Sequence, residues 1–164
     1  MASQQQDLGG PLICKAERSD GATRVTLSGH VNETTDLMPL LRLPQPLRID
    51  LSGIDRINSI GVMSWVKFVH EAERMGVDLT VERCSPIIVG QIGMISNFMG
   101  TRTRVASVYV VYVCPSCHAE QLQLVELPAR GRLDLAPTVP CAKCRASMQL
   151  DEIEHAYTRL LERR

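Results

Sequence analysis

At 164 residues the chain can bury one core of ordinary domain size and carry a small appendage, two units rather than three. Lysine plus arginine equal aspartate plus glutamate at 18 each, so no overall field draws the protein to nucleic acid or to an anionic membrane, and a protein or small-molecule partner is expected. No window has the apolar length of a membrane span, and "MASQQQDLGGP" lacks the basic start and apolar core of a secretory signal, which predicts a soluble cytoplasmic protein.

Residues 1–10 are polar and end in glycine, the composition of a disordered leader. "LICKAER" and "TRVTLSG" then alternate apolar and polar residues around Asp20-Gly21, a hairpin signal. "ETTDLMPLLRL" predicts a short, weak helix interrupted by Pro39 and stopped near Pro44, and "LRIDL" a central strand. Over 60–75, Val62, Trp65, Val66, Val69 and Ala72 recur at helical spacing and Gly76 supplies a stop. "VDLTVERC" reads as a strand. "SPIIVGQIGMISNFMG" reads as a second helix, capped by Ser85, opened by Pro86, weakened by Gly90 and Gly93, and stopped at Gly100. Its apolar surface fits either burial in the chain or a homo-oligomer face. "VASVYVVYV" closes this first unit, 11–113, as a buried strand. The expected fold class is α/β, a mixed sheet with helices on one face. A ribbon over 114–150 follows, built from the short strands "QLQLVEL" and "GRLDLAP", and then a C-terminal helix over 151–164. No internal repeat is evident.

Four of the six cysteines form two CxxC pairs, Cys114/Cys117 and Cys141/Cys144, separated by 23 residues. Two sulfurs two residues apart reach one ion from a tight turn, and a second pair completes a tetrahedral site of four cysteines. The pattern predicts one structural Zn2+, because four thiolates leave no open position for catalytic water. His118, directly after Cys117, is a poor further ligand. Cys14 and Cys84 lie in or beside apolar strand-like runs and read as buried free thiols. Between Cys114 and Leu150 there is no aromatic residue and no basic stripe, so nucleic-acid binding has little behind it beyond Arg130 and Arg132 at a turn.

"RIDLSGIDRINSIGV" joins a strand to the start of the first helix. Ser59 at that hinge is either a modifiable hydroxyl or, with Asn58, simply a helix cap. It is not a nucleophile elbow: the first glycine of GxSxG is missing, His70, His118 and His155 are poorly placed, and His30 is better explained as an exposed loop residue. The chain is therefore expected not to be an enzyme.

Together with "VTLSGHVNETT" and "GVDLTVERCSPIIVGQIGMISNFMG", that stretch resembles the STAS domain, the fold of bacterial anti-sigma-factor antagonists and of the cytoplasmic tails of anion transporters. The resemblance covers about residues 12–113, and the ribbon lies outside it. It implies that Ser59 is the serine phosphorylated by a kinase-like anti-sigma factor. It also implies that Asn32, Asn58, Ser59, Ile60 and Gly61 rim the partner-binding surface. Asn58 and Asn32 stand where phospho-regulated members carry acids, which removes negative charge near the hydroxyl. The reading is a cytoplasmic signalling adaptor acting in transcription regulation. The alternative is a transcriptional adaptor that binds nucleic acid through the ribbon.

Overall fold

The computed structural model describes residues 4–128 and 135–151. Arg130, Arg132, His155 and the helix expected beyond Asp151 lie outside the described residues.

The expected disordered leader is instead a strand from Gln4 onward. β1 (Gln4–Asp7) pairs antiparallel with β2 (Leu12–Ser19). Leu8 is buried, and its carbonyl accepts a hydrogen bond from the Asp36 amide, which pins the segment to the 32–36 loop. β2 and β3 (Ala22–Val31) form the expected hairpin, with Ser19 opposite Ala22 and a two-residue turn whose Asp20 and Gly21 have φ of 51° and 77°. Two positive φ values in a row are the signature of a type I′ turn, which Asp-Gly accommodates well.

The weak helix expected over 33–43 shrinks to a 3-10 helix, Met38–Arg42. Its would-be first turn is diverted by side chains: Asn32 Oδ1 accepts from the Thr34 amide and Asp36 Oδ1 from the Met38 amide. β4 (Leu47–Ile57) is longer than the predicted 47–51, because it follows β3 in parallel through two register shifts. β5 (Leu79–Glu82) and β6 (Arg104–Val105) continue in parallel, giving the order β1-β2-β3-β4-β5-β6.

α1 (Ser59–Arg74) follows β4 and α2 (Pro86–Met94) follows β5. Alternation along the strands buries Val25, Leu27, Ile49, Leu51, Leu79 and Val81 in the same cluster as Trp65, Phe68 and Val69 of α1 and Ile88, Val89 and Ile92 of α2. The residues between them on the strands, Arg24, Thr26, Arg48, Asp50, Thr80 and Glu82, stay accessible to solvent. This is a mixed sheet within a mixed α/β fold.

α1 ends as its sequence predicts. The Gly76 amide bonds the Glu73 carbonyl, the Val77 amide bonds Ala72, and Gly76 has φ 69°, a Schellman stop. α2 ends at Met94 rather than near Gly100. Ile95 is extended, and the following turn inserts Phe98 beside Trp65. Ser85 occupies the cap position but makes no capping bond with its side chain, and its buried Oγ has no partner among the described residues. The apolar character of this helix is mostly buried, with Ile87 and Met94 left exposed.

β7 (Ser107–Val113), expected to close the first unit, joins no ladder of the first sheet among the described residues and meets its backbone at the isolated bridge Cys84↔Val108. Its ladders run instead to β8 (Glu120–Glu126) and β10 (Ser147–Leu150), with β9 (Thr138–Pro140) outermost in the order β8-β7-β10-β9. β7, which lies wholly before residue 114, is therefore laddered to the ribbon strands, and Val110, Tyr112, Cys114, Cys141 and Met148 belong to the same buried cluster as Val81 and Cys84. Cys14 and Cys84 are fully buried free thiols, and desolvation pushes both up, Cys14 to about 11. Among the described residues no helix is long and apolar enough to cross a membrane.

Candidate metal centre and docking rim

The two CxxC turns are built alike. In the first, the Cys114 amide donates to the Ala119 carbonyl at 2.9 Å, and the Cys114 carbonyl accepts from His118 at 2.9 Å. In the second, the Cys141 amide donates to Ala146 at 2.8 Å, and the Cys141 carbonyl accepts from Arg145 at 2.9 Å. His118 and Arg145 take the equivalent left-handed position, with φ of 55° and 63°. "CPSCHA" and "CAKCRA" are thus a local structural repeat within a chain that shows none on a larger scale. His118 is exposed and is not among the grouped ligands.

The ladder of β10 on β7 brings the turns together. Cys114 Sγ lies 3.5 Å from Cys144 Sγ and Cys117 Sγ 3.7 Å from Cys141 Sγ, with all four sulfurs within 4.8 Å of one another. A tetrahedral zinc with bonds of about 2.3 Å requires sulfurs about 3.8 Å apart, so the quartet fits a single Zn2+. Electrostatics favours the same occupant. The amides of Cys117 and Ser116 hold the Cys114 thiol below its ordinary value, and those of Cys144 and Lys143 hold Cys141 at about 6. The Ala146 amide lowers Cys144, but the crowding sulfurs outweigh it and push that thiol to about 12. A divalent cation is the partner that lets all four become thiolates.

At the other predicted site, Asn58 is the helix cap. Its Oδ1 accepts from the Gly61 amide at 2.8 Å, and its carbonyl accepts from Val62 at 2.8 Å. Ser59, the first helical residue, is exposed, and its hydroxyl makes no hydrogen bond to the described residues. Capping is therefore not its role. Ile60 beside it is also exposed.

Asn32 builds the adjoining loop, where its Oδ1 accepts from the Thr34 amide at 3.0 Å and the Thr34 hydroxyl at 2.7 Å. An acid stands one residue after Asn32. Glu33 Oε2 accepts from Asn58 Nδ2 at 2.7 Å, and a backbone amide and Asn58 together hold its carboxyl below the usual range. Neither Asn32 nor Asn58 points to Glu33 in the sequence; the one signal for it is its place directly after Asn32 in "GHVNETT". His30, expected as an exposed loop residue, instead lies near the end of β3, is half-buried and pairs with Asp55 at 3.2 Å.

Gly61 is buried where α1 meets the end of β3. A Cβ there would sit 2.2 Å from the Val31 carbonyl oxygen, so either the helix start or the strand would have to move. Gly61→Ala is expected to cost about 1–3 kcal/mol, read as a lower thermal midpoint, whereas Ser59→Ala at the exposed neighbour should stay within about 0.5 kcal/mol.

Below the rim, on the outer side of α1, Val62, Met63, Val66 and Ile95 line a groove of about 610 Å3 bordered by Lys67, His70, Glu71 and Arg74. Arg74 is committed to Glu71 through two bonds of 2.9 and 2.6 Å. Of the apolar residues that recur at helical spacing in α1, Val62 and Val66 are only partly buried and form this apolar floor.

No protein-family model matches the chain, and no curated protein matches it in sequence.

Proposed function

We propose that the protein is a non-enzymatic, STAS-like regulatory module. In this reading it docks a kinase-like anti-sigma regulator through Asn58, Ser59, Ile60 and the groove beside α1, while one structural zinc holds the ribbon. The observation that carries the reading is the free, exposed Ser59 hydroxyl at the first position of α1, with capping done by Asn58 and an apolar groove adjoining. The motif resemblance and the order of strands and helices support it. A phosphoryl group on Ser59 would bring nearly two negative charges beside Glu33 and onto the edge of an apolar surface, which favours release of a partner packed there.

A photo-crosslinking residue at Met63, exposed on the groove, tests this in the native cells. A discrete adduct with an anti-sigma-type kinase is expected, and it should disappear in a Ser59→Asp background. An equal adduct from a crosslinker at Asp20, on the hairpin tip, or insensitivity to Ser59→Asp would overturn the reading.

A further inference from the structure

The face of the first sheet opposite α1 and α2, which bears no helix among the described residues, carries a charge pattern that none of the sequence motifs contains. Pairing places Arg24 opposite Arg48, Arg48 opposite Thr80, and Thr80 opposite Arg104, in one row across four parallel strands. Arg24 and Arg48 are like charges on adjacent strands, an arrangement that is normally unfavourable. Glu82 holds them together, with Oε1 on Arg24 at 2.9 Å and Oε2 on Arg48 at 3.3 Å. One residue further along, Asp50 pairs with Arg83 at 3.4 Å, and the Arg83 guanidinium donates to the Tyr109 hydroxyl and lies over that ring.

The two carboxylates are sunk beneath the cations. Glu82 and Asp50 side chains are 13% and 16% exposed, against 38–47% for Arg24, Arg48 and Arg83. Arg24 and Arg48 each spend one nitrogen on Glu82, leaving most of a five-donor fork unspent. Arg104 and Lys15 are exposed on the same face. Glu17, opposite Arg24 in the register, is an exposed acid on the same face, but the solvent-accessible cations Lys15, Arg24, Arg48, Arg83 and Arg104 outnumber it, and the acids that organise the arginines are less accessible than the arginines themselves.

We infer that this face is a second interaction surface and binds an acidic polypeptide segment. Arginine forks match carboxylates in bidentate geometry, and internal carboxylates already hold the forks in place, so little side-chain freedom is lost on binding. A single-stranded nucleic acid fits less well. Tyr109 is the one aromatic residue in this charge pattern, and Arg83 already lies over its ring, which removes the stacking platform such binding uses. The surface lies across the sheet from α1, so it does not depend on the Ser59 reading.

The test is fluorescence anisotropy with the full chain and a labelled oligoglutamate peptide at low salt, with a labelled oligothymidylate of equal charge as comparison. Oligoglutamate is expected to bind more tightly than oligothymidylate and to weaken as salt rises. Affinity should fall by about tenfold or more in Arg24→Gln/Arg48→Gln. Because that pair also leaves Glu82 unpartnered, Lys15→Gln/Arg104→Gln, which disturbs no buried carboxylate, serves as the second variant and should fall about threefold or more. Ser59→Asp should bind like the parent protein. Absence of oligoglutamate binding, full affinity in Lys15→Gln/Arg104→Gln, or tighter binding of oligothymidylate would overturn the inference.

Discussion

Cys141→Ser is expected to lower the melting temperature of the whole chain by about 10 °C or more, in one transition rather than two. Cys141 is buried in the same cluster that contains Val81, Cys84 and Val108, and β7 is laddered into the ribbon while bridging to the first sheet at Cys84. Losing one of four ligands sacrifices much of a metal-binding free energy that in small zinc domains reaches about 10 kcal/mol. The remaining sulfurs are then crowded without a full ligand set, with Cys114 buried in the shared core, Cys117 half-buried and Cys144 exposed. Calorimetry of the zinc-loaded protein and of the variant reads the effect directly. An unshifted first transition accompanied by early loss of the ribbon would show that the two sheets unfold independently.

Trp65→Ala should be the most damaging substitution in the first sheet's core, at about 3–5 kcal/mol. The Trp65 side chain is 1% exposed, donates from Nε1 to the Phe98 carbonyl at 3.0 Å, and lies 5.8 Å from the Phe98 ring and 5.6 Å from Phe68. Alanine would leave both a cavity and an unpaired buried carbonyl, and it would release the turn after α2 from α1. Trp65→Phe keeps much of the volume and loses only the hydrogen bond, so about 1–3 kcal/mol is expected. Urea unfolding separates the two cases through the midpoint. Equal midpoints for the two variants would mean that the ring volume contributes nothing, contrary to the packing around Trp65.

What was legible in the sequence was local. Asp20-Gly21 specifies its turn within two residues, α1 is written in its own periodicity and in Gly76, and the CxxC pairs carry their ligand geometry in four residues each. What was not legible depends on distant partners. β1 is a polar edge strand held by backbone bonds and by Leu8, so it has no apolar alternation to announce it. The residues of β7 read correctly as a buried strand, but nothing in "VASVYVVYV" says which sheet takes it. The end of α2 is decided by the burial of Phe98 against Trp65, not by Gly100.

The candidate sites divide in the same way. Cys114, Cys117, Cys141 and Cys144 converge as the spacing predicts, and Asn58, Ser59 and Gly61 share one helix start. Glu33 joins them only because the loop built by Asn32 brings it back to Asn58. The row Arg24, Arg48, Arg104 exists only once the parallel register is known, since the three residues come from strands far apart in the chain.

Native mass spectrometry of the chain isolated from its own cells tests the central claim most directly, because metal, phosphate and bound subunit are weighed together. The account predicts a chain carrying one zinc, found in part as a complex with a kinase-like regulator, with any phosphate located on Ser59 and present only in the unbound form. A chain without zinc, or a phosphorylated chain still seated on its partner, would contradict it.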